Sequence, residues 1–256
     1  MILQERDKDI LIYIWKFYCL TSAHIALLFV MHPKVCQKRL RILVNADYLR
    51  SVNIPRINGG RCQKLFYLGD LGASFLGVTS SKPRFTLQLS HQNKNTDLMV
   101  NIIASFKSKE DTHCHEISEH MIRSSGQQII PDGVFMLRKN NKTALFCLEN
   151  DCGTEVVRSP TYSCEDIENK CLRYLEQFES DNNMKLYENY FSETFKRFRV
   201  LFICNDIRRL KAISNLLTDE RYHFIWLTTI SELYREKIYG DIWHVQSLSK
   251  SNLSII

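Results

Sequence analysis

The chain has 256 residues, of which 45% are hydrophobic, and its formal net charge is +6. This length and composition are sufficient for a packed core, and they allow one large domain or two small ones. The nine cysteines form no paired CxxC pattern and several lie in apolar runs, so we expect reduced core thiols of a cytoplasmic protein rather than a disulfide framework. Lys16 and His24 interrupt the first apolar stretch, which argues against a signal peptide or a membrane span.

The positive charge is concentrated in the first third of the chain. Residues 1–90 contain 13 Lys and Arg against 5 Asp and Glu, whereas residues 91–256 contain 21 against 23. This asymmetry indicates a polyanion-binding module followed by a domain of another kind. The sequence has no GxxxxGK[ST] loop to hold nucleotide phosphates, which argues against an NTP-driven motor.

Helical spacing of apolar residues predicts three helices at the start of the chain, over residues 3–20, 22–30 and 33–47. A strand at 48–54, a basic glycine-containing loop at 55–61 and a returning strand at 65–68 follow. Three helices and a basic hairpin are the layout of a winged helix-turn-helix, whose third helix enters the major groove while the hairpin contacts the flanking DNA backbone.

Residues 20–64 hold eight Lys and Arg against one acid, Asp47, and such a patch is suited to the phosphates of double-stranded DNA. We expect DNA contacts from Lys34, Gln37, Lys38, Arg41, Arg56, Arg61 and Lys64. Two alternatives stay open: a small helical domain with an ordinary solvated face, and a winged helix that binds only proteins. The expected organisation is a DNA-binding domain at 1–77, a linker at 78–90 and a second domain at 91–256.

The second domain is predicted to contain a helix, three strands, a helix, a strand, a helix and a strand. The first helix spans about 92–107, the next begins near Cys164 and ends near Ser180, and apolar strands are expected at 199–204 and 222–227. This order predicts a mixed α/β or α+β fold. It is also the order of the PD-(D/E)xK nuclease core.

A hairpin at the centre of this domain brings acids together. Asn140-Asn141 tolerates the positive φ angles of a two-residue turn, so Lys139 is expected to pair with Lys142. Counting outward, Asp132 falls opposite Glu149, and Asp151 lies on the same face as Glu149. Facing like charges destabilise a sheet unless they are compensated, and Mg²⁺ or Mn²⁺ is one such compensation because hard cations favour carboxylate oxygens. The other interpretation is that these acids end their strands in solvent and hold no cofactor.

Several segments resemble the replication-relaxation family of plasmid and mobile-element proteins, over roughly residues 3–243. The segments that carry this resemblance are residues 5–11, the basic third helix, the hairpin loop with Gly59-Gly60-Arg61, Pro131-Asp132-Gly133-Val134-Phe135, and residues 148–155 (Leu-Glu-Asn-Asp-Cys-Gly-Thr-Glu). The resemblance implies a winged helix-turn-helix joined to a PD-(D/E)xK-like α/β domain. It also implies a role in the replication, relaxation or transfer of mobile DNA in prokaryotes.

The chain departs from the nuclease pattern at one position. PD-(D/E)xK enzymes usually have a lysine two residues after the second acid, where this chain has Asp151. Lys170, on the following helix, is the candidate replacement, and the alternative is that Lys170 is a solvated helix residue.

Two functions therefore remain open for the second domain. In metal-assisted phosphodiester hydrolysis, Asp132 and Glu149 would hold the ion, Asp151 or Glu155 would assist, and Glu116 or Asp97 would complete the ligand shell. In the other function, the nuclease-like domain is inactive and mediates homodimerisation or docking of replication or transfer proteins, while the chain acts as a DNA-binding accessory factor or regulator. The missing motif lysine favours the second function.

Overall fold

The computed structural model describes residues 2–55, 62–84, 86–107, 109–123, 129–153, 155–159, 166–180, 184–245 and 250–255. The fold is mixed α/β, with a three-stranded sheet and a seven-stranded sheet among helices. The chain divides into two compact units, Met1–Ala104 with Ser118–Ser125, and Ser105–Ile117 with Gly126–Ile256. Among the residues described, no helix combines the length and the apolar character needed to cross a membrane.

The first unit alternates short helices with an antiparallel sheet. Its elements are α1 (Glu5–Lys16), β1 (Leu20–Thr21), α2 (Ser22–Leu28), α3 (Pro33–Asn45), β2 (Leu49–Ile54), β3 (Gln63–Leu68), α4 (Asp70–Leu76), most of α5 (Leu87–Lys107) and α6 (Glu119–Arg123). The sheet order is β1-β3-β2. Both strand pairs are antiparallel, with Leu20 opposite Phe66 and Ser51 opposite the same residue.

The strand β1 differs from the sequence prediction, which extended the first helix to Leu20. α1 instead ends at Lys16, Tyr18 adopts a positive φ of 68°, and Leu20 pairs with β3. Thr21 then caps α2, because its Oγ1 accepts the backbone N–H of His24 at 3.1 Å. A two-residue strand shows no periodicity of its own, so its existence depends on the partner strand.

The segment predicted as a linker is partly helical. α5 begins at Leu87, inside the expected linker 78–90. Leu89 is buried in a cluster with Cys19, Ile54, Leu65 and Tyr67. Burial of an apolar side chain of this size is worth about 1.5–3 kcal/mol, which favours packing of this end of α5 within the first unit. That unit accordingly extends past residue 77 to Ala104.

The second unit is built on the larger sheet, of order β10-β9-β8-β7-β6-β5-β4. Its elements are β4 (Thr112–Ser118), β5 (Gly133–Lys139), β6 (Lys142–Asp151), α7 (Ile167–Glu179), α8 (Lys185–Phe191), β7 (Phe198–Cys204), α9 (Ile207–Ser214), a 3₁₀ helix (Glu220–Phe224), β8 (Ile225–Thr229), α10 (Ile230–Glu236), β9 (Trp243–Val245) and β10 (Lys250–Leu253). The β6–β7 and β7–β8 pairs are parallel, and the β5–β6, β8–β9 and β9–β10 pairs are antiparallel. The central strands are apolar on both faces, as strands covered on both sides require.

The predicted hairpin register is confirmed. Asn140 and Asn141 both have positive φ, 48° and 60°, and Lys139 lies opposite Lys142. The ladder continues to Gly133 opposite Leu148, so the next positions outward are Asp132 and Glu149. The elements α6, α8, β9 and β10 were not predicted, and Cys164, the expected start of α7, lies outside the described residues.

Candidate functional site

The solvent-facing side of α3 carries four of the residues expected to contact DNA. Cys36, Leu40 and Leu43 form the buried side of this helix. The four residues on the exposed side are Lys34, Gln37, Lys38 and Arg41. Across the described ranges, none of the three cations among them forms an ion pair with a carboxylate. Their charges are therefore available to an external anion.

The other side of α3 is held to α1 by a buried ion pair that the sequence did not indicate. Arg39 Nε donates to Asp7 Oδ1 at 2.7 Å, and Arg39 Nη2 donates to Asp7 Oδ2. Asp7 is fully buried and also accepts the backbone N–H of Gln4 at 2.7 Å. Burial alone would raise the pKa of Asp7, but Arg39 and the Gln4 N–H outweigh it and lower that pKa. Arg39 thus fixes α3 in place and is not part of its exposed cationic face.

In the described part of the hairpin that follows α3, Lys64 is the residue expected to contact DNA. Lys64 is exposed near the start of β3, opposite Asn53 of β2. Arg56 and Arg61, the other two residues expected to contact DNA, lie outside the described residues.

In the second unit, Glu149 lies near the C-terminal end of β6 and is only 2% exposed. Lys170 Nζ lies 3.2 Å from its Oε2, and the Tyr174 hydroxyl donates to its Oε1. Lys170 and Tyr174 are one turn apart on α7, which is the spacing that lets two side chains reach the same carboxylate. Burial raises the pKa of Glu149, and Lys170 and Tyr174 oppose that effect only in part.

Lys170 is the centre of a group of acids. Its Nζ also lies 3.0 Å from Oε2 of Glu155, and Asp132 acts on it electrostatically. Burial alone would lower the pKa of Lys170, but the carboxylates of Glu149, Glu155 and Asp132 raise it above its usual value. Lys170, the residue expected to replace the motif lysine, therefore lies beside Glu149 and Glu155.

Asp132 is held against the strand that carries Glu149. Its backbone N–H donates to the Leu148 carbonyl at 2.9 Å, and its Oδ2 accepts the Asn150 N–H at 2.8 Å. These two bonds place the Asp132 carboxylate at the open end of the hairpin, next to the Glu149 position. The structure thus brings Asp132, Glu149, Glu155 and Lys170 into one neighbourhood.

Asp151 has a different partner from the one expected. Arg209 of α9 binds it through both carboxylate oxygens, with Nη2 3.0 Å from Oδ1, and the same guanidinium donates to the Glu155 carbonyl. The sequence did not point to Arg209. The tertiary structure brings the two together, because β7 pairs in parallel with β6, Cys204 lies opposite Asp151, and α9 follows β7 directly.

The two remaining candidates for the ligand shell lie elsewhere in the chain. Glu116 is 3% exposed within β4. Asp97 lies on α5 in the first unit, and its carboxylate is hydrogen-bonded to Nε2 of His24. The pair with His24 gives Asp97 a structural partner within its own unit.

Comparison with known protein families matches residues 11–190 to the family described as replication-relaxation. This range includes the cationic face of α3, the β5–β6 hairpin and Lys170, and it covers well over half of the chain. No curated protein and no solved structure matches the sequence. The chain belongs to the replication-relaxation family.

Proposed function

We propose that this chain is a DNA-binding protein that acts in the replication or relaxation of a plasmid, phage or other mobile element, and that its first unit binds double-stranded DNA. Family membership supports the setting. The order helix, strand, helix, helix, strand, strand, with β1 at the far edge of β3, supports a winged helix-turn-helix. The observation that carries the proposal is the exposed face of α3, whose cations have no carboxylate partner within the described residues.

In this proposal α3 enters the major groove and the β2–β3 hairpin follows the backbone. Lys34, Lys38 and Arg41 neutralise phosphates or donate to guanine edges, and the amide of Gln37 suits the donor and acceptor pair of adenine. Lys64 contributes a backbone contact from the hairpin. The Arg39–Asp7 pair keeps α3 in the orientation that exposes these side chains.

The test is the Lys38→Ala, Arg41→Ala double variant, measured by fluorescence anisotropy on a labelled mixed-sequence duplex. Each lost phosphate contact lowers the salt slope of log K by about 0.9, so we expect a slope reduced by nearly 2 and affinity at least about tenfold weaker at low salt. Lys82→Ala with Arg84→Ala removes the same charge from exposed positions off α3 and serves as the matched control. Unchanged affinity in the α3 variant, or an equal loss in the control, would contradict the proposal.

We also propose a second candidate function, metal-assisted phosphodiester hydrolysis by the second unit. The observation that favours it is the Lys170 ammonium, 3.2 Å from Glu149 and 3.0 Å from Glu155. A lysine beside two acids is the arrangement that the usual motif provides from the strand itself. The acids offer hard oxygen donors, which fit Mg²⁺ or Mn²⁺.

The roles follow from these contacts. Asp132 and Glu149 would hold the ion, which would polarise the phosphate and lower the pKa of a bound water. Lys170 stabilises negative charge on the phosphate from the other side of Glu149. Tyr174 orients Glu149 by donating to one of its oxygens, and Arg209 holds the backbone of Glu155 in reach of Lys170.

Incubation with supercoiled plasmid and Mg²⁺ or Mn²⁺ tests this function. We expect nicking by the wild type and a loss of at least about 100-fold in Asp132→Ala with Glu149→Ala and in Lys170→Met, because each removes a group that stabilises developing charge. Lys185→Ala, at an exposed position on α8, is the control and should nick at the wild-type rate. Nicking that persists in the double variant would exclude this site. If no protein nicks while duplex binding is intact, the second unit is inactive, and light scattering would then test its role in dimerisation.

A further inference from the structure

A cavity of about 850 Å³ lies in the second unit, at the end of the sheet away from the acids. It is lined by the first residues of β6, by residues 194–199 leading into β7, and by the 3₁₀ helix and the start of β8. β6 runs from Lys142, at this cavity, to Glu149 and Asp151 at its other end. Leu145, in the cavity wall, and Glu149, in the site around Lys170, are four residues apart, about 13 Å along a strand. The cavity is therefore separate from the site around Lys170.

The lining of this cavity is cationic. Its charged residues are Lys142, Lys196, Arg197 and Arg199, all of them exposed, and the described lining contains no Asp or Glu. The acids that neighbour the lining in sequence are already engaged, because Glu193 pairs with Arg138 and Glu179 lies near Arg221. This concentration of positive charge is unlike the rest of residues 91–256, where acids outnumber bases by two.

Aromatic rings lie beneath two of these cations. The Arg199 guanidinium carbon is 4.6 Å from the centroid of the Trp226 ring, and that of Arg197 is 5.2 Å from the centroid of Phe178. Phe178 in turn stacks on Phe224 with centroids 4.0 Å apart. Within the described residues Arg199 has no carboxylate partner. Its side chain is exposed, but packing on Trp226 desolvates part of the guanidinium and lowers its pKa. A guanidinium that is partly desolvated on an indole and lacks a counter-ion is stabilised when an anion binds beside it.

We propose that this cavity binds single-stranded DNA, with phosphates on the lysines and bases stacked on the exposed guanidinium groups of Arg197 and Arg199, which pack on Phe178 and Trp226. Cationic grooves with aromatic side chains bind single strands because every unpaired base offers a face for stacking, and arginine adds cation–π contacts. A duplex keeps its bases stacked internally and would use only the cations. The volume lies within the roughly 300–1,000 Å³ range of sites that enclose small ligands, which suits one or two bases rather than a double helix.

This inference does not depend on duplex binding by α3 or on hydrolysis at Lys170. Its test is therefore made in the full chain carrying Lys38→Ala and Arg41→Ala, which removes two of the proposed duplex contacts. The probe is a fluorescein-labelled oligothymidylate of about 12 nucleotides, a length within the range that single-strand sites cover. The change in anisotropy between this background protein and the cavity variant then reports binding at the cavity.

In that background we expect Lys196→Ala with Arg199→Ala to weaken oligonucleotide binding at least about tenfold. Lys211→Ala with Arg235→Ala removes the same charge from exposed positions that do not line the cavity, and binding should then change less than twofold. Thermal unfolding verifies that each variant is folded. If the first pair is unstable, Lys142→Ala with Lys196→Ala replaces it, since both side chains are exposed.

Three results would overturn the inference: no oligonucleotide binding by the background protein, the same affinity in the cavity variant, or an equal loss in the control. Inorganic polyphosphate distinguishes stacking from charge alone. If it competes as well as oligothymidylate at equal phosphate concentration, base stacking plays no part and single-stranded DNA is not the ligand.

Discussion

At the scale of single residues, Asp7 and Arg39 determine how an exposed helix is held. Asp7 is fully buried, accepts from the Arg39 guanidinium and from the Gln4 N–H, and so ties α1 to α3. Breaking a buried ion pair from one side leaves an uncompensated charge, which is why such substitutions destabilise strongly.

We expect Asp7→Ala to lower the free energy of unfolding by about 3–5 kcal/mol in urea denaturation. Glu5→Ala, which removes an exposed acid of the same helix, should change it by no more than about 0.5 kcal/mol. The pKa of Asp7 is lowered in the folded state, so its contribution is complete above the unfolded value of 3.8 and is lost as pH falls below it. The wild type should therefore lose stability below that pH more steeply than Asp7→Asn, and parallel curves would contradict the assignment.

At the scale of elements, the β5–β6 hairpin sets where the acids lie. Its two-residue turn places both central residues at positive φ, and this fixes the register through which Glu149 follows Leu148 opposite Asp132. A slip of one residue would turn Glu149 to the opposite face of the sheet, away from Lys170.

Substitution at Asn141 tests this turn. Asn141→Gly should leave the free energy of unfolding within about 0.5 kcal/mol of the wild type, because glycine adopts a positive φ without strain. Asn141→Val should lower it by about 1–2 kcal/mol, because a β-branched side chain clashes at φ 60°. Thr143→Val, within β6, is the matched control and should be nearly neutral. Equal effects at 141 and 143 would show that the turn does not specify the hairpin.

At the scale of the whole molecule, the first third of the chain is strongly basic and the remainder has a slight excess of acids. Residues 1–90 have a net charge of +8, and Lys34, Lys38 and Arg41 present part of it on α3. In the second unit, the cationic cavity and the acids around Lys170 lie at different ends of β6. If α3 binds duplex DNA and the cavity binds single strands, the two surfaces act independently. The cavity variant then retains the wild-type affinity for duplex DNA, and the α3 variant retains the wild-type affinity for the oligonucleotide. A shared loss in either direction would indicate one nucleic-acid surface rather than two.

Much of this organisation could be predicted from local patterns. The exposed cationic face of α3 follows from a helical period, and the hairpin register follows from a period of two and from the tolerance of asparagine for positive φ. The position of Lys170 on the helix after the acids was also predictable, because that helix is strongly amphipathic. The expected linker was wrong in part, because Leu89 is buried by strands that lie far from it in sequence.

The sequence by itself determined the order of the main elements, the register of the hairpin, the cationic face of α3 and the family, because each depends on residues close together in the chain. Only the tertiary structure decided which partner each charge has: Lys170 for Glu149 and Glu155, Arg209 for Asp151, and Arg39 for Asp7. It also decided that β1, β9 and β10 exist and that aromatic rings lie beneath Arg197 and Arg199. These features join residues from separate elements, and their geometry is set by how the elements pack, which no local period encodes.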